Sequence, residues 1–494
     1  MESRQEFKSD WVSRPMGKLE EFFKMLCDGG APWNREHWHI SLVLSLNPPP
    51  SIADLEPYLR RAWYILRQKY PALGAIIKAN DKDPKETPHI VLEPVEVGVD
   101  IWTYKSFVTH GRTQDADELL RKLHPDALAT CHWIPSTRQV MIRSSHWRID
   151  GVGMLMLGHR FMETLVNMLG QKPDTPLDSY PTNQPREHIL GSTIQDKAKS
   201  LNNTPKPVLS SLLDAGADAI LATLLQGMPS IALPTRPGSE ELPPSASDRR
   251  SVRLDADTTA RLVATCRSRG FSVTSAVHAA IVCATARFPQ HPLAKAYASF
   301  AAADLRRVLH AYDQQIEIGP LGLFHLGLPI CIKDVVSPEG AGLAKDFETV
   351  ARELHAVYSQ DMINFWDPAD GSGRKVALFE LAESVPRKTM ELYSQPLPPE
   401  LPPVQTPDLS SLGRLERFLQ RDYEFATDMG VGKVEIKDCW LGTEMLTRAM
   451  QFHVWSWKEE LTLAVCFNAS FYEESFASRI LELVREELVL RLGI

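Results

Sequence analysis

The feature that most constrains this fold is a long break in the middle of the chain. Residues 171–250 are crowded with Pro, Ser, Thr, Asp and Gly, as in KPDTPLDSYPTNQP and ALPTRPGSEELPPSASD, with one helical stretch near 207–226. A segment of that composition cannot carry a continuous hydrophobic core, and it suits a crossover between two separately packed bodies. The expected organisation is an N-terminal lobe over 1–185, a crossover over 186–249 and a C-terminal lobe over 250–494. A length of 494 residues agrees with more than one domain and supplies enough burial to need no staples.

Both lobes mix strand and helix without regular alternation. WHISLVLSL (38–46) has the apolar run of a strand, and IADLEPYLRRAWYILRQKY (52–70) the spacing of an amphipathic helix that stops before Pro71. Strands follow at LGAIIKAN, HIVLEPV and QVMIRSS, with helices around 114–123 and over MLMLGHRFMETLVNML. After the break, SVRL opens a strand and DADTTARLVATCRSRG a helix with an acidic first turn. SVTSAVHAAIVCATARF reads as a buried helix that Ser272 or Thr274 could cap. YASFAAADLRRVL reads as a strand running into a charged turn. A second proline-rich stretch (394–408) precedes SSLGRLERFL, and the chain closes with a hairpin, MQFHVWSWKEELTLAVCFN, and a helix, SFASRILELVREELVLRL.

One hexapeptide carries chemistry. His146-Trp147-Arg148-Ile149-Asp150-Gly151 stands where a strand-like run gives way to a helix-like one. An imidazole held at such a bend, with a carboxylate four positions on, is suited to general-base work near neutral pH. Asp150 could cap the following helix, pair with a cation, or do both. Gly151 is expected to permit a tight backbone approach.

Composition excludes several other classes. A net charge of −8 without a basic cluster argues against a nucleic-acid partner. Seven scattered cysteines with no CxxC suggest neither a disulfide framework nor a zinc ribbon. No apolar run reaches the length of a membrane span, and MESRQEFKSDWV lacks a signal-peptide core, so a cytoplasmic address is expected. His37 and His39 would share a strand face, but no third ligand follows at sensible spacing, and no metal is expected. His278 falls inside an apolar helix as a core histidine, Trp455 and Trp457 read as core residues of the last hairpin, and GSGR at 371–374 reads as a turn.

SHWRIDG resembles the HxxxDG signature of the CoA-dependent acyltransferase superfamily, which includes chloramphenicol acetyltransferase, plant BAHD acyltransferases, peptide-synthetase condensation domains and fungal trichothecene O-acetyltransferases. Other pieces agree in order. RLDADTTARLVATCRSRGFSVTSAVHAAIVCA resembles the start of the second lobe, FAAADLRRVL the "DxR" strand, and SSLGRLERF a small-residue strand near the tunnel. The likeness spans most of the chain and is nearest to the fungal enzymes of secondary metabolism. Two departures stand out: Ser145 occupies the position where condensation domains usually carry a second histidine, and the plant DFGWG signature is absent.

The resemblance implies an α/β (α+β) fold of two chloramphenicol-acetyltransferase-like lobes, each a mixed sheet with helices, with an active-site tunnel between them. It implies acyl transfer, with acetyl the expected group, from acyl-CoA as co-substrate to a hydroxyl of a small secondary metabolite. His146 would be the general base, with no permanently bound cofactor, no covalent acyl-enzyme and no CoA-binding residues assigned. Asp150 would support the site through an arginine, Arg306 being preferred to adjacent Arg307, and Ser411 is a candidate oxyanion or tunnel residue. The protein would act as a monomer. Two rivals remain open: a member repurposed for cyclisation or condensation without CoA, and a binding protein that keeps only the fold.

Overall fold

A computed structural model describes residues 11–79, 86–92, 99–171, 189–199, 201, 210–337, 342–368, 371, 373–396, 398, 401–427 and 430–494. Its largest sheet has six strands in the order Asp422–Thr427, Gly430–Thr443, Ile40–Asn47, Gln139–Ser144, Thr130–Ile134 and Phe107–Thr109. Every neighbouring pair is antiparallel except the last. Ile40–Asn47 lies centrally, which explains its nearly unbroken apolar run: both faces are covered. The helices Glu56–Lys69 and Gly151–Leu169 pack together, and the second also covers this sheet.

A second sheet orders Asp408–Arg414, Gln451–Trp457, Glu460–Asn468 and Ser247–Leu254, the first pair parallel and the others antiparallel. Smaller sheets pair Tyr297–Asp304 with His325–Ile332, and set His89–Leu92 between Val12–Pro15 and Ile76–Lys78. The C-terminal helix Glu474–Leu492 lies against Ser247–Leu254 and the Val273–Ala286 helix. Buried apolar residues form two clusters, one centred on the six-stranded sheet and one on the remainder. The result is the two-lobed α/β fold expected from the sequence.

The structure redraws some local readings. DLRRVL does not end in a turn: Arg306–Tyr312 is helical, because Val308 and Leu309 find a buried face. The strands Asp422–Thr427 and Gly430–Thr443 belong by sequence to the C-terminal half but hydrogen-bond into the N-terminal sheet. A division at 185 and 249 therefore cannot be drawn as two uninterrupted segments, and position 185 itself lies outside the described residues. The last residues of HIVLEPV and much of 171–209 also fall outside them.

Candidate active site

The hexapeptide sits on the seam between the two clusters. Trp147 is buried in one and Ile149 in the other. Arg148, also buried, donates to the Ser144 hydroxyl at 3.0 Å and to the carbonyls of Ala75 and Ala127, each at 2.8 Å. The "x" positions of HxxxDG thus tie the bend down on both sides. Ser145 donates to the buried carboxylate of Glu36 at 3.0 Å.

Asp150 is both cap and ion-pair partner. Its Oδ1 accepts from the Gly153 amide at 2.7 Å, which starts the Gly151–Leu169 helix at its first residue. Its Oδ2 accepts from the Phe324 amide at 2.8 Å and from Arg306 Nη1 at 2.9 Å. Arg306, not Arg307, meets the carboxylate, and both partners are almost wholly buried. Burial alone would push the Asp150 carboxyl up, but Arg306 and His325 outweigh it and hold the group well below the usual carboxylate range.

Around that pair, the segment 320–325 (PLGLFH) docks against the motif. Gly322 donates to the Arg148 carbonyl at 2.8 Å, and Leu305 to the Phe324 carbonyl at 2.8 Å. Gly322 has φ +109°, and a Cβ there would lie 2.9 Å from the Phe324 ring, so the strut requires glycine. The expectation for Gly151 is corrected. A Cβ at Gly151 would make only ordinary contact with Leu412 at 3.6 Å. The close approach is two residues later, where a Cβ on Gly153 would fall 2.2 Å from the Pro320 carbonyl oxygen.

His146 is partly exposed, and its ring stacks on Phe23 at 4.2 Å and 11°. Trp38 and His325 complete an aromatic wall, with ring centroids 6.4 and 5.5 Å from His146. Burial, and then His325, push the imidazole well below its ordinary value; its own backbone carbonyl and Asp150 offset this only in part. A neutral imidazole at physiological pH is the form that can accept a proton.

Phe23 and His325 escaped the sequence reading. Phe23 comes from Lys18–Asp28, an amphipathic helix whose spacing was available in KLEEFFKMLCD. His325 opens an apolar strand after a Gly-rich turn, and nothing local distinguishes it from any edge histidine.

Ser411 lies on Asp408–Arg414, the strand whose Leu412 approaches Gly151, and a bulge interrupts the pairing between Ser411 and Gly413. Its hydroxyl is 2.9 Å from that of Thr274. Ser272, not Thr274, caps the Val273–Ala286 helix. His278 is fully buried between the hydroxyls of Tyr358 at 2.8 Å and Tyr297 at 2.6 Å. Trp455 and Trp457 are core residues. His37 Nδ1 accepts from the Leu446 amide at 3.1 Å. No helix among the described residues is long and apolar enough to cross a membrane.

Comparison with known proteins finds that the chain resembles acyltransferases in sequence and in fold. Residues 243–311 match the family described as phthiocerol/phthiodiolone dimycocerosyl transferase C-terminus. The chain is 30% identical over 500 residues to the loline biosynthesis cluster 1 transcription factor lolU1 of Epichloe uncinata, covering 98% of this chain and 95% of that one. It is 24% identical over 494 residues to the acetyltransferase pigO of Monascus ruber, covering 97% and 96%. Among solved structures it superposes on the TRI3 trichothecene 15-O-acetyltransferase of Fusarium sporotrichioides with a TM-score of 0.77, at 16% identity, covering 98% and 96% of the two chains.

Proposed function

Because the chain belongs to the superfamily of CoA-dependent acyltransferases and condensation-type domains, we propose that it moves an acyl group, acetyl first among them, from acyl-CoA to a hydroxyl of a small secondary metabolite. The observation that carries this reading is the His146 imidazole stacked on Phe23, four residues before a carboxylate that is turned away into Arg306.

The chemistry follows from that arrangement. His146 removes the acceptor's hydroxyl proton as the oxygen attacks the thioester carbonyl. The tetrahedral intermediate collapses with cleavage of the carbon–sulfur bond, and the imidazolium returns the proton to the departing thiolate. No residue is acylated. Asp150, occupied by two amides and a guanidinium, is a positioning residue and not a proton carrier. Ser411 is the proposed oxyanion donor, a role worth about 3 kcal/mol where such donors have been removed. The enzyme is proposed to act as a cytoplasmic monomer, with an N-terminal lobe, a crossover and a C-terminal lobe that lends two strands to the first sheet.

The Epichloe uncinata relative is named as a transcription factor. A DNA-contacting role here would require clustered Lys and Arg to displace counterions, and this chain carries a net charge of −8. The test is to incubate the protein and His146→Ala with acetyl-CoA and a panel of hydroxylated terpenoids and polyketides, following free thiol. Wild type is expected to release thiol only with an acceptor, and the variant to lose at least ~10²-fold. Equal rates would remove His146 from the mechanism. Product formation without CoA would favour the repurposed, condensing alternative.

A further inference from the structure

We propose that Asp408 anchors the far end of the acyl acceptor, holding a second hydroxyl of that molecule about 13 Å from the one that His146 deprotonates. This specificity role rests on the acyl-transfer reading given above. Asp408 opens the strand Asp408–Arg414 and stands in register with Gln451, as Ser410 does with His453. Alternation along Gln451–Trp457 puts those side chains on the same face as Trp455 and Trp457, which belong to the cluster of the six-stranded sheet. The face therefore looks across the seam, and Thr443, from the six-stranded sheet, donates to Gln451 Oε1 at 2.6 Å. Farther along the same strand, Leu412 approaches Gly151 beside the His146 bend. Four residues of strand separate Leu412 from Asp408, a length of about 13 Å.

Buried polar atoms nearly always find partners, yet on this face Asp408 Oδ1, His453 Nδ1, Trp455 Nε1 and Trp457 Nε1 have none among the described residues. Such a row fits a wall that a ligand completes. Asp408 keeps some exposed surface, although burial raises its carboxyl to about 7 and the Gln451 side chain alone works against that. Tyr358 and His146 likewise combine exposed surface with strong desolvation, as expected of groups that line an interior passage. The charge of Asp408 acts on Tyr297, Tyr358 and Tyr393, so three phenols lie near this end. Tyr297 donates to the Pro407 carbonyl at 2.8 Å, and its oxygen therefore accepts from His278 Nε2. Neutral His278 then accepts the Tyr358 proton at Nδ1, which leaves Tyr358 Oη free to accept from a ligand. A hydroxyl is the group that fits. It donates to Tyr358 or to an ionised Asp408, and it accepts from a protonated one. An ammonium would serve only the ionised carboxyl, and a carbonyl only the protonated one.

The experiment uses straight-chain α,ω-diols of increasing length, the matching primary alcohols and the matching ω-amino alcohols. Calorimetric binding to wild type, Asp408→Asn and Asp408→Leu is read without acyl-CoA, and thiol release is then followed with acetyl-CoA. Wild type is expected to bind the diol whose oxygens stand about 13 Å apart at least ~10-fold more tightly than its alcohol, the strength of one hydrogen bond to a charged group. Asp408→Asn, which still offers a hydrogen-bonding end, keeps a preference, and Asp408→Leu loses it. Because Oδ1 is buried without a partner, Asp408→Leu should melt no lower than wild type. Equal or undetectable binding of diol and alcohol by wild type, a preference for the amino alcohol, or a diol preference that survives in Asp408→Leu would each overturn the proposal. So would a leucine variant that melts well below wild type, since the carboxyl would then brace the seam. Diol-selective binding without any thiol release would instead count against the acyl-transfer reading alone.

Discussion

Replacing Asp150 with Asn preserves shape and removes one charge, and the structure says what that should cost. The carboxylate serves two opposite sides, Oδ1 accepting from Gly153 and Oδ2 from Phe324 and Arg306. Asparagine has one acceptor oxygen, so its NH₂ must face either the Gly153 amide or the Phe324 amide with Arg306. A hydrogen bond to a charged group is lost, worth about 1.5–3 kcal/mol, and Arg306 is left as a buried cation without its main counter-charge. Breaking one partner of such a pair costs ~3–5 kcal/mol, which already includes the hydrogen bond. With an unfolding entropy of about 2.1 cal/mol/K per residue, 494 residues melting as one unit lose about 3–5 °C in Tm, and about twice that if each lobe melts alone. Because the folded carboxyl is held below its unfolded value of about 3.9, the stabilisation is complete above that pH and lost only as pH falls towards the folded value. Scanning calorimetry should therefore find a constant gap between wild type and Asp150→Asn from pH 8 to about pH 5, narrowing below about pH 4. Most activity should survive at temperatures well below the transition. A variant that melts like wild type but is catalytically dead would refute the argument, since Asp150 would then act on the reaction and not on the fold.

Gly153→Ala drives a Cβ to 2.2 Å from the Pro320 carbonyl and is expected to lower Tm by several degrees, whereas Gly151→Ala should be nearly neutral; melting curves of the pair decide which glycine the bend requires. Phe23→Leu removes the ring stacked on His146 and should lower kcat about tenfold with KM little changed, read by steady-state thiol release. Burial pushes His278 and His453 down to about 3 and His37 to about 4, so the folded protein refuses protons that the unfolded chain binds below about pH 6.5. Burial holds His39, His132 and His146 down as well, so stability is full above that pH and should fall steeply towards pH 4 as the unfolded chain takes up protons the folded protein refuses, measurable by urea unfolding at stepped pH.

The legible part of the fold was its periodic part. The Glu56–Lys69 and Gly151–Leu169 helices, the central Ile40–Asn47 strand and the closing hairpin carry enough apolar repetition to declare themselves locally. Arg306–Tyr312 read as a charged turn because four of its seven residues are polar or aromatic, and only the buried face of Val308 and Leu309 makes it a helix. Gly430–Thr443 has its partner nearly four hundred residues away in sequence, in Ile40–Asn47, and no local pattern encodes a pairing of that range.

The same distinction divides the site. His146, Asp150 and the strand-to-helix bend are contiguous, so spacing and residue type alone named the base, the cap and the class of chemistry. What surrounds the base comes from segments remote in sequence: Phe23 from the first helix, and Arg306, Phe324 and His325 from the C-terminal half. Their contributions are a ring face, a guanidinium, a backbone amide and a second imidazole. Each acts only through distance, and distances between remote segments exist only once the two lobes have closed on each other. Sequence determined which atom can take the proton; tertiary structure decided what holds that atom in place and in which charge state it stands.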